Sequence, residues 1–244
     1  MTDTKFDEFI AGIESENYRG ALAGIMGQNP VGVERTRTLL PFFNRLEVSR
    51  QKSLLDWCET PMSPLRISDF DQRWHLEQLA RHEMAHIVVA KALGFRTGDV
   101  TLVLKSPDGD HVGTSRVFLE KETSSIERVI GYLRLRVAIL LAGSIAEVES
   151  VGELRRSAQG QVRSEAAASD LQKALELITV LLNVQGKFEP EALERALDQL
   201  TFWAVQIVTP NYDVIQSLAK RFADRIEFYG QRIGSTASEI DAQP

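Results

Sequence analysis

A single cysteine, Cys58, stands in a chain of 244 residues, so no intramolecular disulfide can contribute to stability. Its expected place is that of a small apolar filler. The chain also lacks a basic excess: 28 lysines and arginines face 34 acids, a net charge of −6. A nucleic-acid binder carries a basic footprint, so that class of partner is set aside. Arg134 and Arg136, and Arg155 and Arg156, are then expected on solvated helix and loop faces. Long apolar runs are missing too. The most apolar stretch, 137–148, is too short to span a bilayer and contains Glu147. The first residues lack the charged-then-apolar pattern of a signal peptide. A cytoplasmic protein with no membrane partner is expected. No GxxxxGK[ST] loop for phosphates occurs either. What remains, 43% hydrophobic and 25% charged, is the composition of a globular protein.

The patterns along the chain predict a mainly α (α+β) protein with one β-hairpin. Residues 1–66 read as an N-terminal helical segment, ending near "TPMSPLRIS", where two prolines mark a break. Residues 67–233 form the expected main domain, and 234–244 a disordered tail. Within the domain, Ser68 with Asp71 offers a cap for a helix running to Gly94. "VTLVL" and "HVGTSRVFL", on either side of the turn signal "SPDGD", predict a hairpin within 99–121. Ser124 with Glu127 forms a capping-box pattern for a helix through about 151, apolar almost all round from 137 to 148 and therefore buried. "GELRRSAQGQVRS" (152–164) reads as a polar loop. Helices are expected at about 165–184, 189–208 and 212–230. Trp57, Trp74 and Trp203 lie in helical patterns and are expected to pack.

The chain has only 4 histidines, and two of them stand in "HEMAH". His82 and His86, four apart on a helix, share one face and can meet one cation. Leu79, Val89 and Leu93 lie on that face, so both imidazoles are expected to point inward, where they need partners. Glu83 flanks the same face, placed to take a proton from water activated by a bound zinc ion (Zn2+). A catalytic zinc needs a third protein ligand and one open position. Glu147, inside the most apolar helix, and Asp170, in the first turns of the next, are the candidate carboxylates, and spacing does not choose between them. His75 is about 10 Å from His82 by helix rise, too far to share the metal, and is expected in the core or cleft. His111 opens the second hairpin strand and is expected at the surface or the cleft edge. Arg155, Arg156 and Arg163 are expected in a solvated loop.

"HEMAHIVVAKALG", then "VTLVL…HVGTSRVFL", then "LAGSIAE" and "ASDLQKAL" resemble, in order and rough spacing across about residues 78–184, the protease domain of the membrane-bound, ATP-dependent FtsH family (peptidase family M41). "NYDVIQSLAKRF" resembles that family's last helix more loosely. The resemblance implies a helical zincin-like metallopeptidase fold with His82, His86 and Asp170 as zinc ligands and Glu83 as general base. Glu147 is then a buried carboxylate outside the ligand set, and about 111–119 an edge against which an extended substrate lies. The chain departs from the family at Met84 and Ala85, where alanine and glycine are usual. "AAASD" lacks a glycine, and the loop before it is longer.

The ATPase module is missing from this chain. The function expected is therefore an ATP-independent zinc metallopeptidase acting on peptides, unfolded proteins or proteins presented by a partner. The family's hexamer rests partly on its ATPase ring, which leaves the oligomeric state open, a homo-oligomer included. Two alternatives stand beside it: a narrowly specific regulatory protease, and a non-catalytic, zinc-stabilised binding or adaptor module. Glu83 favours an enzyme, because a structural zinc has no need of a carboxylate beside its ligands.

Overall fold

The structure is a computed structural model that describes residues 47–49, 51–52, 66–105, 110–148, 150–163, 168–187, 189 and 191–241. The expected N-terminal helices, Cys58, Trp57 and the turn at 106–109 lie outside these residues. The chain divides into two units, Met1–Leu65 and Arg66–Pro244, and the elements described below belong to the second. It is mainly helical with a small three-stranded antiparallel sheet.

Helix α1 spans Phe70–Ala92. Its cap is Asp69, not Ser68: the carboxylate accepts from the backbone N–H of Asp71 at 2.9 Å and of Gln72 at 3.3 Å. Gly94 ends it with φ 73°, a left-handed conformation that glycine adopts without strain. From Met84 to Ala90 every residue of α1 is buried, so the helix runs through the core rather than over it. The sheet follows, with β1 (Thr97–Leu104) and β2 (His111–Val117) antiparallel. Val100, Leu102 and Leu104 alternate along β1 onto the core.

Helix α2 (Ile126–Ala146) is buried over its second half, Val137–Ala146. By length and composition it is apolar enough to cross a membrane, with mean hydropathy 1.7, but 61% of that stretch is buried inside the protein. Packing between helices accounts for its apolarity. Its cap is Ser125, one residue beyond the expected Ser124. The Ser125 hydroxyl accepts from Arg128 N–H at 3.3 Å, while Ser124 donates to Glu122.

Three expectations are corrected here. Residues 152–164 are not a loop: α3 spans Val151–Val162, and Leu154, Ala158 and Val162, four apart, are buried on one face. Arg163, just past its end, is exposed as expected and bonds Glu194 (2.7 Å) and Asp198 (3.1 Å) at the surface. After α4 (Ala168–Val184), the two helices expected at 189–208 and 212–230 are one, α5 (Ala192–Asp224), with Pro210 inside it. The buried stripe Ala204, Val208, Tyr212, Ile215 and Ala219 continues across the proline at helical spacing, and this packing outweighs the lost backbone bond. Finally, the tail is ordered through Asp241. Strand β3 (Ile233–Ser235) pairs with β1, and α6 (Ala237–Asp241) buries Ile240. Arg225 holds the strand by donating to Ser235 Oγ at 2.7 Å and Gly234 O at 3.0 Å.

The sheet order is β2-β1-β3, leaving β2 at one edge. Both α2 and α5 pack on α1, and β2 lies across it. Leu76, Met84, Ile87, Leu102, Leu104, Ile139, Leu141 and Ile145 are the largest fully buried side chains. Burial of each contributes about 1.5–3 kcal/mol. Trp203 packs partly against this core, but Trp74 is 40% exposed, against expectation.

Truncation after Arg232 should lower stability by about 2–4 kcal/mol, from one buried isoleucine and a few ladder hydrogen bonds. A urea midpoint unchanged by the truncation would show that β3 and α6 hold nothing.

Candidate metal centre and cleft

The two imidazoles of α1 are each held from behind by α2. His82 Nδ1 donates to Glu147 Oε1 at 2.7 Å, and His86 Nδ1 donates to the Ile139 carbonyl at 2.7 Å. With Nδ1 protonated in both rings, each neutral imidazole turns a bare Nε2 lone pair the other way. Both lone pairs face the same atom: Asp170 Oδ2 lies 3.1 Å from His82 Nε2 and 3.1 Å from His86 Nε2. Three electron-pair donors converging without a proton between them repel, so the arrangement favours a proton or a metal ion among them.

The donor set fits a metal ion. The ligand atoms of His82, His86 and Asp170 lie within 4.8 Å of one another. Around a tetrahedral zinc with bonds of about 2.0–2.1 Å they would stand about 3.4 Å apart, close to the two distances observed. Two imidazoles and a carboxylate suit zinc, and the bonds from Glu147 and Ile139 are the outer support such ligands use. The structure thus puts the two carboxylates left open by spacing on opposite sides of His82: Asp170 at Nε2, Glu147 at Nδ1. Among the described residues no fourth donor joins the three.

Glycines make the room. A Cβ on Gly143 of α2 would stand 2.6 Å from His86 Nε2 and 2.7 Å from His82 Nε2. Only a bare backbone lets α2 pass this close to both rings. On the other side, a Cβ on Gly113 of β2 would stand 2.3 Å from Glu83 Oε1, so the Glu83 carboxylate lies directly over the edge strand.

A third support holds the end of α2. Arg81, 3% exposed, donates from Nη1 to the Val148 carbonyl at 2.6 Å, and the Tyr212 hydroxyl donates to the same oxygen. This pins the residue after Glu147 and so the carboxylate behind His82.

In the metal-free chain a proton takes the cation's place. Burial alone would lower the His82 pKa, but the hydrogen bonds to Asp170 and Glu147, with the charges of Glu147 and Glu83, outweigh it and raise it to about 10. Burial would likewise raise the Asp170 pKa, yet His82, His86 and Lys173 hold it well below the usual carboxylate range.

The cluster opens into a cavity of about 710 Å³ bounded by α1, β2, α2 and α4. Glu83, Gly113 and Ser115 line it around the centre, with His75 and His111 at one side, their rings 6.0 Å apart edge to face. His75 stands outside the metal cluster, as its helix rise requires. Met84 and Ala85 are fully buried beneath the site and do not line it. Sequence reasoning missed Gly143, Gly113, Arg81, Tyr212, Lys173 and the cleft position of Arg136. Only Gly143 carried a signal, as a glycine inside an otherwise apolar helix. In comparison with known proteins, no family model and no curated sequence matches the chain.

Gly143→Ala should push the rings apart and lower metal affinity about tenfold or more with the helix content retained, as read by titration with zinc and circular dichroism. Unchanged affinity would mean that the close approach of α2 does not shape the cluster. The folded, metal-free chain keeps the His82 proton until about pH 10, whereas an unfolded histidine loses it near 6.5. This stabilisation is complete below pH 6.5 and is lost as pH rises toward about 10. Zinc has to displace that proton, so affinity should rise about tenfold per pH unit across this window. A flat profile there would contradict the arrangement.

Proposed function

We propose that this protein is a zinc metallopeptidase that hydrolyses peptide bonds in peptides or unfolded polypeptides. The observation that carries it is the convergence of His82, His86 and Asp170 beside Glu83 in a cleft floored by an edge strand. The likeness of "HEMAH", "LAGSIAE" and "ASDL" to the FtsH-family protease domain supports the same reading.

His82 and His86, through Nε2, and Asp170, through a carboxylate oxygen, would hold the zinc. When bound, zinc lowers the pKa of water to about 7 and polarises a carbonyl. Glu83 accepts the proton of the attacking water and passes it to the departing amine nitrogen, typically a factor of about 10²–10⁴ in rate. Gly113 leaves the space in which that carboxylate stands. The outer edge of β2 offers backbone groups to an extended chain, so that substrate lies over Glu83 in strand geometry. Such a cleft takes a polypeptide with no structure of its own.

A zinc-stabilised binding module is the competing reading. A structural zinc closes its sphere with four protein ligands, and the three donors found among the described residues support the enzyme over it.

Zinc-loaded protein should cleave casein. Glu83→Gln at equal zinc content should lower cleavage at least about 10²-fold. Gly113→Ala, which displaces the Glu83 carboxylate, should also lower cleavage while binding one zinc per chain. Undiminished cleavage by Glu83→Gln would remove the general base from the mechanism, and no cleavage by any form would sink the peptidase.

A further inference from the structure

Among the described residues, His75 Nε2, Arg81 Nε, Arg136 Nη1 and Thr201 Oγ1 are buried side-chain atoms without a hydrogen-bond partner. Buried donors are normally satisfied, so each needs an explanation. His75 and Arg136 line the same cavity as the metal cluster.

They stand at opposite ends of it. His82 reaches Glu147 and His86 reaches Ile139, so α1 and α2 run antiparallel past each other. Moving along α1 beyond His86 therefore means moving to lower numbers on α2, and Arg136 is the next turn before Ile139. His75, two turns ahead of His82 and beside His111, marks the other end. The cleft is chemically asymmetric, with a histidine pair at one end and a guanidinium at the other.

The carboxylates in the cavity are engaged elsewhere. Asp170 gives Oδ2 to the two imidazoles and Oδ1 to Lys173 Nζ at 3.1 Å. Glu147 accepts from His82. Glu83 lies over Gly113. Arg136 is left half-buried: the charge of Asp170 acts on it, but none of these carboxylates hydrogen-bonds it, and its Nη1 has no partner. A guanidinium presents a planar fork that a carboxylate fills with two charge-assisted bonds, and an amide fills it with less charge and poorer geometry.

The geometry points to Arg136 as the specificity determinant for an acidic substrate side chain, aspartate or glutamate, bound at the Arg136 end of the cleft. The inference takes its substrate class from the peptidase reading, but the recognition itself is a binding event. Lys173 also lines the cavity, but its ammonium is paired with Asp170 Oδ1, which leaves Arg136 as the cation for a substrate acid.

The test uses the full chain with Glu83→Gln, loaded with zinc, so that peptides bind without being cut. Fluorescein-labelled, alanine-rich peptides carry one glutamate moved along the sequence, each with a glutamine counterpart, and binding is read by fluorescence anisotropy. At one position glutamate should bind about tenfold tighter than glutamine, and Arg136→Gln in the same background should abolish the difference. Arg136→Lys should keep part of it. No preference at any position, a preference that survives Arg136→Gln, or no peptide binding overturns the inference. If Arg136→Gln fails to fold, as judged by zinc content, the glutamate and glutamine pair on the original arginine decides alone. The chain with Glu83 intact separates the two proposals on the same peptides. Cleavage without acidic preference leaves the peptidase standing and overturns the role of Arg136, whereas acid-selective binding without cleavage does the reverse.

Discussion

The two hydrogen bonds behind the imidazoles, from His82 to Glu147 and from His86 to the Ile139 carbonyl, are the constraint on which the site depends. They fix which nitrogen of each ring carries the proton, and so which lone pairs are free. They also tie α1 to α2 at two points a helical turn or more apart, setting the register of the two helices that form the centre of the core. Gly143 is the condition for that register, since any side chain there would occupy the space of both rings. The chemistry and the packing are thus one arrangement seen from two sides.

A second consequence is electrostatic. The cluster carries three acidic groups, Glu83, Glu147 and Asp170, around two histidines in a cavity walled by apolar helices. Excess negative charge there favours any cation, proton or metal, over none. Charge of the opposite sign also lines this cavity, from Arg136 and from Lys173, whose Nζ donates to Asp170 Oδ1. The centre therefore favours a cation.

The HEMAH pattern was legible because its meaning is local: a spacing of four on a helix puts two side chains on one face whatever the rest of the fold does. The hairpin and the buried α2 were legible for the same reason, from period-two and all-round apolar patterns. Asp170 and Glu147 could not be told apart by spacing, because their difference lies in which nitrogen of His82 each one meets across the core. Helix α3 was hidden by composition. Its two glycines and six polar residues read as loop, while three residues four apart, Leu154, Ala158 and Val162, were enough to bury a face. Pro210 misled in the opposite sense, as a local breaker overruled by a stripe that packs on both sides of it. Arg136, Arg81 and Gly113 signal nothing alone, and each acquires a role only from a neighbour distant in sequence.

Strand β3, three residues long, forms one border of the sheet and β2 the other, and among the described residues no strand pairs with the outer edge of β2. An open border does not distinguish a foreign chain from a second copy of itself, and Val112 on it is 44% exposed. The same row of backbone groups that favours a loose polypeptide makes this strand the place where two molecules would first stick together. At high concentration two copies would meet along this border, and an extended peptide held there would compete with self-association.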